Sequence, residues 1–262
     1  MFDFNAWMWG LAVLVALGVA TWLVSLPLSN ASIVDSMWSI FFVAAAFTYA
    51  ATTESPGGAR RTMILILVTV WGLRLSGYIT SRNWGHGEDK RYQAMRAKQG
   101  PNFAAKSLGT VFMLQALLAW VVSLPLLAAV DSGKDFGALD AVGLALWAVG
   151  FVFEAGGDYQ LARFKARAEN RGKVMDRGLW RFTRHPNYFG DFTQWWAFFL
   201  IALAAGGWWS LVGPVVMSWL LLKVSGVTLL ERTITTTRPG YADYVARTNA
   251  FFPGPRKRLH DD

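Results

Sequence analysis

Seven apolar runs follow one another along the chain with short polar breaks between them, most of them near the roughly 20 residues that one helical crossing of a ~30 Å hydrocarbon layer needs. They cover Trp7–Leu26, Ile33–Ala51, Met63–Ile79, Leu108–Val130, Leu139–Phe153, Phe192–Ala205 and Trp208–Leu230. A chain of 262 residues with 54% hydrophobic content and 14 Trp cannot hide that much apolar surface in one water-soluble core. In lipid every backbone donor and acceptor must be satisfied within its own segment, so helices are the expected solution. The sequence therefore predicts an all-α integral membrane protein, a bundle of about seven transmembrane helices forming one membrane-embedded domain over 1–262. The fifth and sixth runs are short, so their polar ends are expected to continue as helix.

The start Met-Phe-Asp-Phe lacks the basic n-region of a cleavable signal, and the first span is expected to stay. Zero cysteines exclude disulfides, thiolate catalysis and iron–sulfur clusters. His86, His185 and His260 lie far apart with no ligand spacing, so no metal site is expected.

The net charge of +8 is distributed unevenly. Arg82, Lys90, Arg91, Arg96, Lys98 and Lys106 fall between runs three and four. Eight more, from Arg163 to Arg184, fall between runs five and six, and the C-terminal segment adds Arg232, Arg238, Arg247, Arg256, Lys257 and Arg258. The opposite side holds Arg60, Arg61 and Lys134. The positive-inside rule then predicts a multi-pass chain with its N-terminus outside and its C-terminus in the cytosol. Nucleic acid is not an expected partner; membrane lipid is.

Topology explains many of those cations, but not the acids, amides, Tyr and Gly interleaved with them. Glu154, Asp158 and Lys165 recur at spacings of four and seven and share a helical face beyond the fifth run. Acids so close to hydrocarbon need a cation, a water-filled cavity or a ligand hydroxyl or amine. Further on, Pro186 suits the first turn of a helix, with Arg184 and His185 just before it. Free N–H groups, the helix dipole and the two side chains would together attract an anion such as phosphate. Asn187, Asp191 and Gln194, spaced by four and three, form a polar stripe directly below. Interhelical hydrogen bonding is the structural alternative for that stripe. No Walker or GxGxxG sequence follows a strand, so a nucleotide would be held by helix ends and loops, with 80–107 as the lid.

The run Arg-His-Pro-Asn-Tyr-Phe-Gly at 184–190, followed by Leu230-Glu231-Arg232, Pro239-Gly240-Tyr241-Ala-Asp-Tyr244 and Phe252-Pro253, resembles the C-terminal half shared by steroid 5-alpha-reductases, sterol reductases and isoprenylcysteine carboxyl methyltransferases. Val34-Asp35-Ser36-Met37-Trp38-Ser39, Trp71-Gly-Leu-Arg74-Leu-Ser-Gly-Tyr78 with Arg82-Asn83, and Glu88-Asp89-Lys90-Arg91-Tyr92 resemble the bacterial DUF1295 branch of the steroid 5-alpha-reductase family. That resemblance implies NADPH as cofactor, a steroid or other hydrophobic enone as substrate, and a bacterial inner membrane as location. It implies a substrate cavity mainly in 1–130 and a cofactor-binding half mainly in 131–262, with cytosolic loops capping a cofactor pocket. Arg74, Arg82, Glu154, Asp158, Lys165, Arg184, His185, Asn187, Asp191, Glu231 and Tyr244 are the expected cofactor residues. The alternative reading is an S-adenosylmethionine-dependent methyltransferase of an isoprenoid or lipid acceptor.

Reducing a double bond conjugated to a 3-oxo group needs hydride at the β carbon and a donor at the carbonyl oxygen, where negative charge develops. The family supplies that donor from a Gln-Glu pair and a Tyr. Here the matching positions are Asp35-Ser36 and Trp71, with Tyr78 nearby. Asp35, expected inside an apolar helix, is read as a protonated donor or as a partner of Arg74 or Arg82, and Tyr78 and Trp71 as second donors.

Overall fold

The computed structural model describes residues 2–55, 57–224 and 240–257. Helices of several kinds account for all regular structure among the described residues, and no strand occurs among them. Five segments are long and apolar enough to cross a membrane: Phe4–Leu28, Ile33–Thr52, Ala59–Asn83, Lys90–Val122 and Ala138–Lys165. This suits a multi-pass membrane protein. The sixth expected run lies in a 19-residue helix, Pro186–Ala204, whose first half carries Asn187, Asp191, Thr193 and Gln194 and so shortens its apolar length. The seventh appears as a shorter apolar helix, Trp208–Val224, because the rest of that run falls outside the described residues.

The chain divides into two compact units, Met1–Asp140 with Phe198–Gly213, and Ala141–Ala197 with Pro214–Asp262. The first is built on α1 (Phe4–Leu28), α2 (Ile33–Thr52) and α3 (Ala59–Asn83). Asp3 caps α1 by accepting from the Ala6 amide at 2.8 Å. Small residues then let the helices approach, as expected where lipid gives no hydrophobic drive between them. Gly10 of α1 lies under the Tyr49 ring, and Gly72 of α3 lies against the Ser39 carbonyl of α2. The Ser39 hydroxyl donates to the Gly72 carbonyl at 2.8 Å, and the Tyr49 and Ser123 hydroxyls meet at 2.7 Å.

After α3 come a short polar helix α4 (Lys90–Gln99), α5 (Phe103–Ser107), a wide π-turn at Leu108–Met113, α6 (Leu114–Val122) and α7 (Leu124–Val130). The expected single span Leu108–Val130 is therefore broken at Ser123. Pro125 lacks an amide proton and sits in the first turn of a new helix, where that loss costs least. The Leu126 amide turns back to the Ser123 carbonyl at 2.9 Å.

The second unit is built on α8 (Ala138–Lys165) and α9 (Pro186–Ala204), with α10 (Val212–Trp219) and α11 (Tyr241–Arg247) following. As the phase of Glu154, Asp158 and Lys165 leads one to expect, α8 continues past Phe153 to Lys165. Likewise α9 begins at Pro186.

Candidate functional site

Within the second unit the two polar stripes read from spacing face each other. A Cβ on Gly190 would overlap the Glu154 amide and the Gly150 carbonyl, so α8 and α9 touch backbone to backbone at this level. That approach lets short side chains bridge the helices. Gln194 donates to the Glu154 carboxylate at 2.5 Å, and Asn187 donates to the Asp158 carboxylate at 3.1 Å. Glu154, Asp158, Asp191 and Gln194 are all buried. The Oε1 of Gln194 is buried without a hydrogen-bond donor. An acceptor with no donor costs about 1–3 kcal/mol unless something supplies one, and a ligand amide or hydroxyl would.

The entry to α9 is held to the C-terminal segment. Arg184 directs Nη1 at the carbonyls of Thr248 (2.7 Å), the residue just past α11, and of Val245 (3.2 Å) in its last turn. A cation there complements the negative end of the helix. The Arg184 guanidinium, expected to face an anion before α9, thus gives its Nη1 to the C-terminal end of α11. Tyr244 donates to the Trp180 carbonyl at 2.6 Å, while the Trp180 indole donates to the Gly157 carbonyl at 3.0 Å. Burial pushes the Tyr244 hydroxyl well above the usual tyrosine range, with Tyr241 adding to it. His185 is buried and stacks on Tyr188. Lys165 lies exposed at the end of α8. Glu231 lies outside the described residues.

In the first unit, Trp71, Arg74, Tyr78 and Arg82 fall on one stripe of α3 at spacings of three, four and four. Trp71 is fully buried beside Phe42, and the Arg82 guanidinium stands 5.8 Å over the Tyr78 ring.

Asp35 differs from its expected setting. It lies in the first turn of α2, at the edge of the apolar helix, and its carboxylate accepts from Arg91 (2.6 Å) and from the Tyr92 hydroxyl (2.7 Å). The partners expected from α3 were Arg74 and Arg82. Both carboxylate oxygens act here as acceptors, which does not present the group as a donor. Arg91 and Tyr92 belong to α4, which folds over the α1–α2 turn through further contacts. The Glu88 carboxylate accepts from the Ala31 amide (2.8 Å) and from the Arg96 fork (2.8 and 2.9 Å), and the Asp89 amide donates to Ser32 at 2.7 Å. Burial raises Glu88, but the bonds from Arg96 and Ala31 together with the Arg96 charge outweigh it and hold the carboxyl below its usual range. Beneath lies an apolar pad of Ala31, Val34, Tyr92, Phe103, Val111 and Phe112.

Asp35→Asn should therefore loosen α4. The variant loses a charge-assisted pair whose arginine is 44% exposed, so the expected cost is about 1–2 kcal/mol after solvent screening. Faster amide exchange in 88–99 would register it; wild-type exchange there would show that the Asp35 contacts to Arg91 and Tyr92 do not hold α4 in place.

Residues 21–248 match the family described as "Protein of unknown function (DUF1295)". The uncharacterized protein C594.04c of Schizosaccharomyces pombe is 26% identical over 284 residues, covering 96% of this chain and 81% of its own length. The 3-oxo-5-alpha-steroid 4-dehydrogenase 1 of Mus musculus is 37% identical over 73 residues, which are 28% of this chain and 26% of that enzyme. The protein of the same name from Rattus norvegicus aligns with the same identity and coverage. The likeness to these two dehydrogenases thus spans about a quarter of each chain. No solved structure matches.

Proposed function

The chain belongs to the DUF1295 family, and from that premise we propose that it is an NADPH-dependent membrane reductase acting on the carbon–carbon double bond of a 3-oxo-delta-4 steroid or similar enone lipid. The observation that carries this reading is the buried Glu154–Gln194 and Asp158–Asn187 cluster of α8 and α9. Its carboxylates and the donorless Gln194 Oε1 fit a ligand rich in amide and hydroxyl donors, as a nicotinamide nucleotide is. The partial likeness to two steroid dehydrogenases adds the reaction class.

When bound, the cofactor supplies hydride to the β carbon of the enone. Glu154 and Gln194 accept hydrogen bonds from its donors and fix its orientation, with Asp158, Asn187, Asp191 and Tyr244 shaping the same half. Arg74, Arg82, Lys165, Arg184, His185 and Glu231 remain assigned to the cofactor by family resemblance. Negative charge grows at the carbonyl oxygen during transfer, and a fixed donor there lowers the barrier. Trp71 or Tyr78 supplies that donor, and Asp35 acts through Arg91 and Tyr92 as a positioning residue. Seven crossings, the N-terminus outside, the C-terminus cytosolic and cytosolic loops over the cofactor complete the reading, supported by the Lys and Arg distribution. The bacterial inner membrane rests on the N-terminal motifs, since the relatives named above are eukaryotic.

The test is ligand-induced stabilisation of detergent-purified protein. A ligand bound by the native state alone at 100 times its Kd adds about 2.7 kcal/mol, a clear rise in the melting midpoint. NADPH is expected to raise it more than NADH, with testosterone or progesterone reduced in turnover assays. A rise with S-adenosylmethionine and none with NADPH would replace the reductase with the methyltransferase.

A further inference from the structure

At the polar end of α8, wholly within the second unit, lies a cleft of about 470 Å³. Tyr159, Arg163, Arg167, Glu169, Lys173 and Arg177 line it, which sets four cations against one carboxylate. A positive-inside loop needs cations, but it does not need them to converge. Here the chain is folded back so that they do. The Leu179 amide donates to Gln160 at 2.9 Å, the Trp180 indole to the Gly157 carbonyl at 3.0 Å, and the Asn170 amide to the Phe164 carbonyl at 2.9 Å. These three bonds fasten the segment after α8 along its last turns. Arg163 is steadied by the Tyr159 hydroxyl at 3.1 Å, and Glu169 pairs loosely with Arg167 at 3.9 Å. Like charges brought around one concave space repel, and an anion in that space reverses the sign of the interaction.

Depth narrows the anion. A helix of 28 residues is about 42 Å long at ~1.5 Å per residue, against ~30 Å of hydrocarbon. The excess falls at the end that carries Asp158, Tyr159 and Arg163, and so at the headgroup layer, where phosphate esters are concentrated.

We propose that this cleft is a phosphate-binding site, recognising a phosphate ester through Arg163, Arg167, Lys173 and Arg177. Two sources offer that chemistry at this depth: the headgroup of an anionic phospholipid, and the 2′-phosphate of a bound nucleotide. The nucleotide source rests on the cofactor reading above, whereas the lipid source does not.

The experiment uses the full chain in nanodiscs. One arm compares the melting midpoint in phosphatidylglycerol and in phosphatidylcholine. The other compares binding of adenosine 2′,5′-bisphosphate and adenosine 5′-monophosphate by calorimetry in phosphatidylcholine discs. Wild-type protein is expected to prefer anionic phosphatidylglycerol over zwitterionic phosphatidylcholine, by a clear rise in midpoint, or the bisphosphate over the monophosphate, by at least tenfold in affinity, in at least one arm. Arg163→Gln/Arg177→Gln, at two exposed positions, should abolish that preference. Lys98→Gln, which removes an exposed charge on α4, should retain it. A preference that survives the double variant, a preference lost equally in Lys98→Gln, or no preference in either arm overturns the site. Failure of the wild-type chain to bind any nicotinamide nucleotide would sink the reductase reading, and the phosphatidylglycerol arm would still decide the cleft.

Discussion

Arg60→Leu is expected to be among the most destabilising single changes in the chain, at about 3–5 kcal/mol, because it strands a buried carboxylate. Arg60 and Asp140 are 3% and 0% exposed, and the guanidinium grips both carboxylate oxygens at 2.7 Å. Its remaining protons go to the Ser132 hydroxyl (2.9 Å) and the carbonyls of Lys134 (2.8 Å) and Asp135 (2.7 Å). One side chain at the start of α3 thereby ties down the loop between α7 and α8 and the first turn of α8. Arg60→Lys should recover only part of the loss, since a point charge cannot match the fork. Arg60→Leu/Asp140→Leu should be more stable than Arg60→Leu alone, because removing both charges removes the stranded one. Melting midpoints of the four proteins in one detergent measure this. A midpoint for Arg60→Leu equal to wild type would show that the pair contributes no net stability.

That pair marks where the sequence stops being legible. Arg60 and Asp140 stand 80 positions apart, and a count of charges by side assigns Arg60 to topology alone. Asp35 was legible as a carboxylate in need of a partner, but Arg91 and Tyr92 lie 56 and 57 positions away, and nothing local selects them over Arg74 or Arg82 on the next helix. Helical periodicity, by contrast, carries over directly. The continuation of α8 to Lys165 and the start of α9 at Pro186 follow from residue spacing and from the first helical turn, where proline loses no bond. Pro125 was visible too, yet apolar residues on both sides hid the break at Ser123 inside one run. The stripes of α8 and α9 were each readable. Their meeting depended on Gly150 and Gly190 lying back to back, a property of two helices at once.

Glu154→Gln tests what those stripes do when they meet. The substitution keeps the shape and leaves an oxygen that can still accept from Gln194, now 2.5 Å from the carboxylate, while removing the negative charge. A neutral amide in this buried place carries less desolvation cost than a carboxylate, so the unliganded melting midpoint should stay near wild type. Cofactor binding should not. A carboxylate accepting from a ligand amide or hydroxyl contributes about 1.5–3 kcal/mol, so the Kd for NADPH should rise roughly 10- to 100-fold. Turnover at saturating NADPH should fall less than kcat/KM, because orientation is impaired while the donor near Trp71 and Tyr78 is untouched. Gln194→Leu offers the complementary change, removing the buried Oε1 that has no donor of its own. If that oxygen serves the ligand, Gln194→Leu weakens NADPH binding, although it also strips the buried Glu154 carboxylate of its Gln194 donor and so lowers the unliganded midpoint. Should both variants bind NADPH as wild type does while their midpoints fall, the cluster fastens α8 to α9, and the cofactor residues must be sought elsewhere.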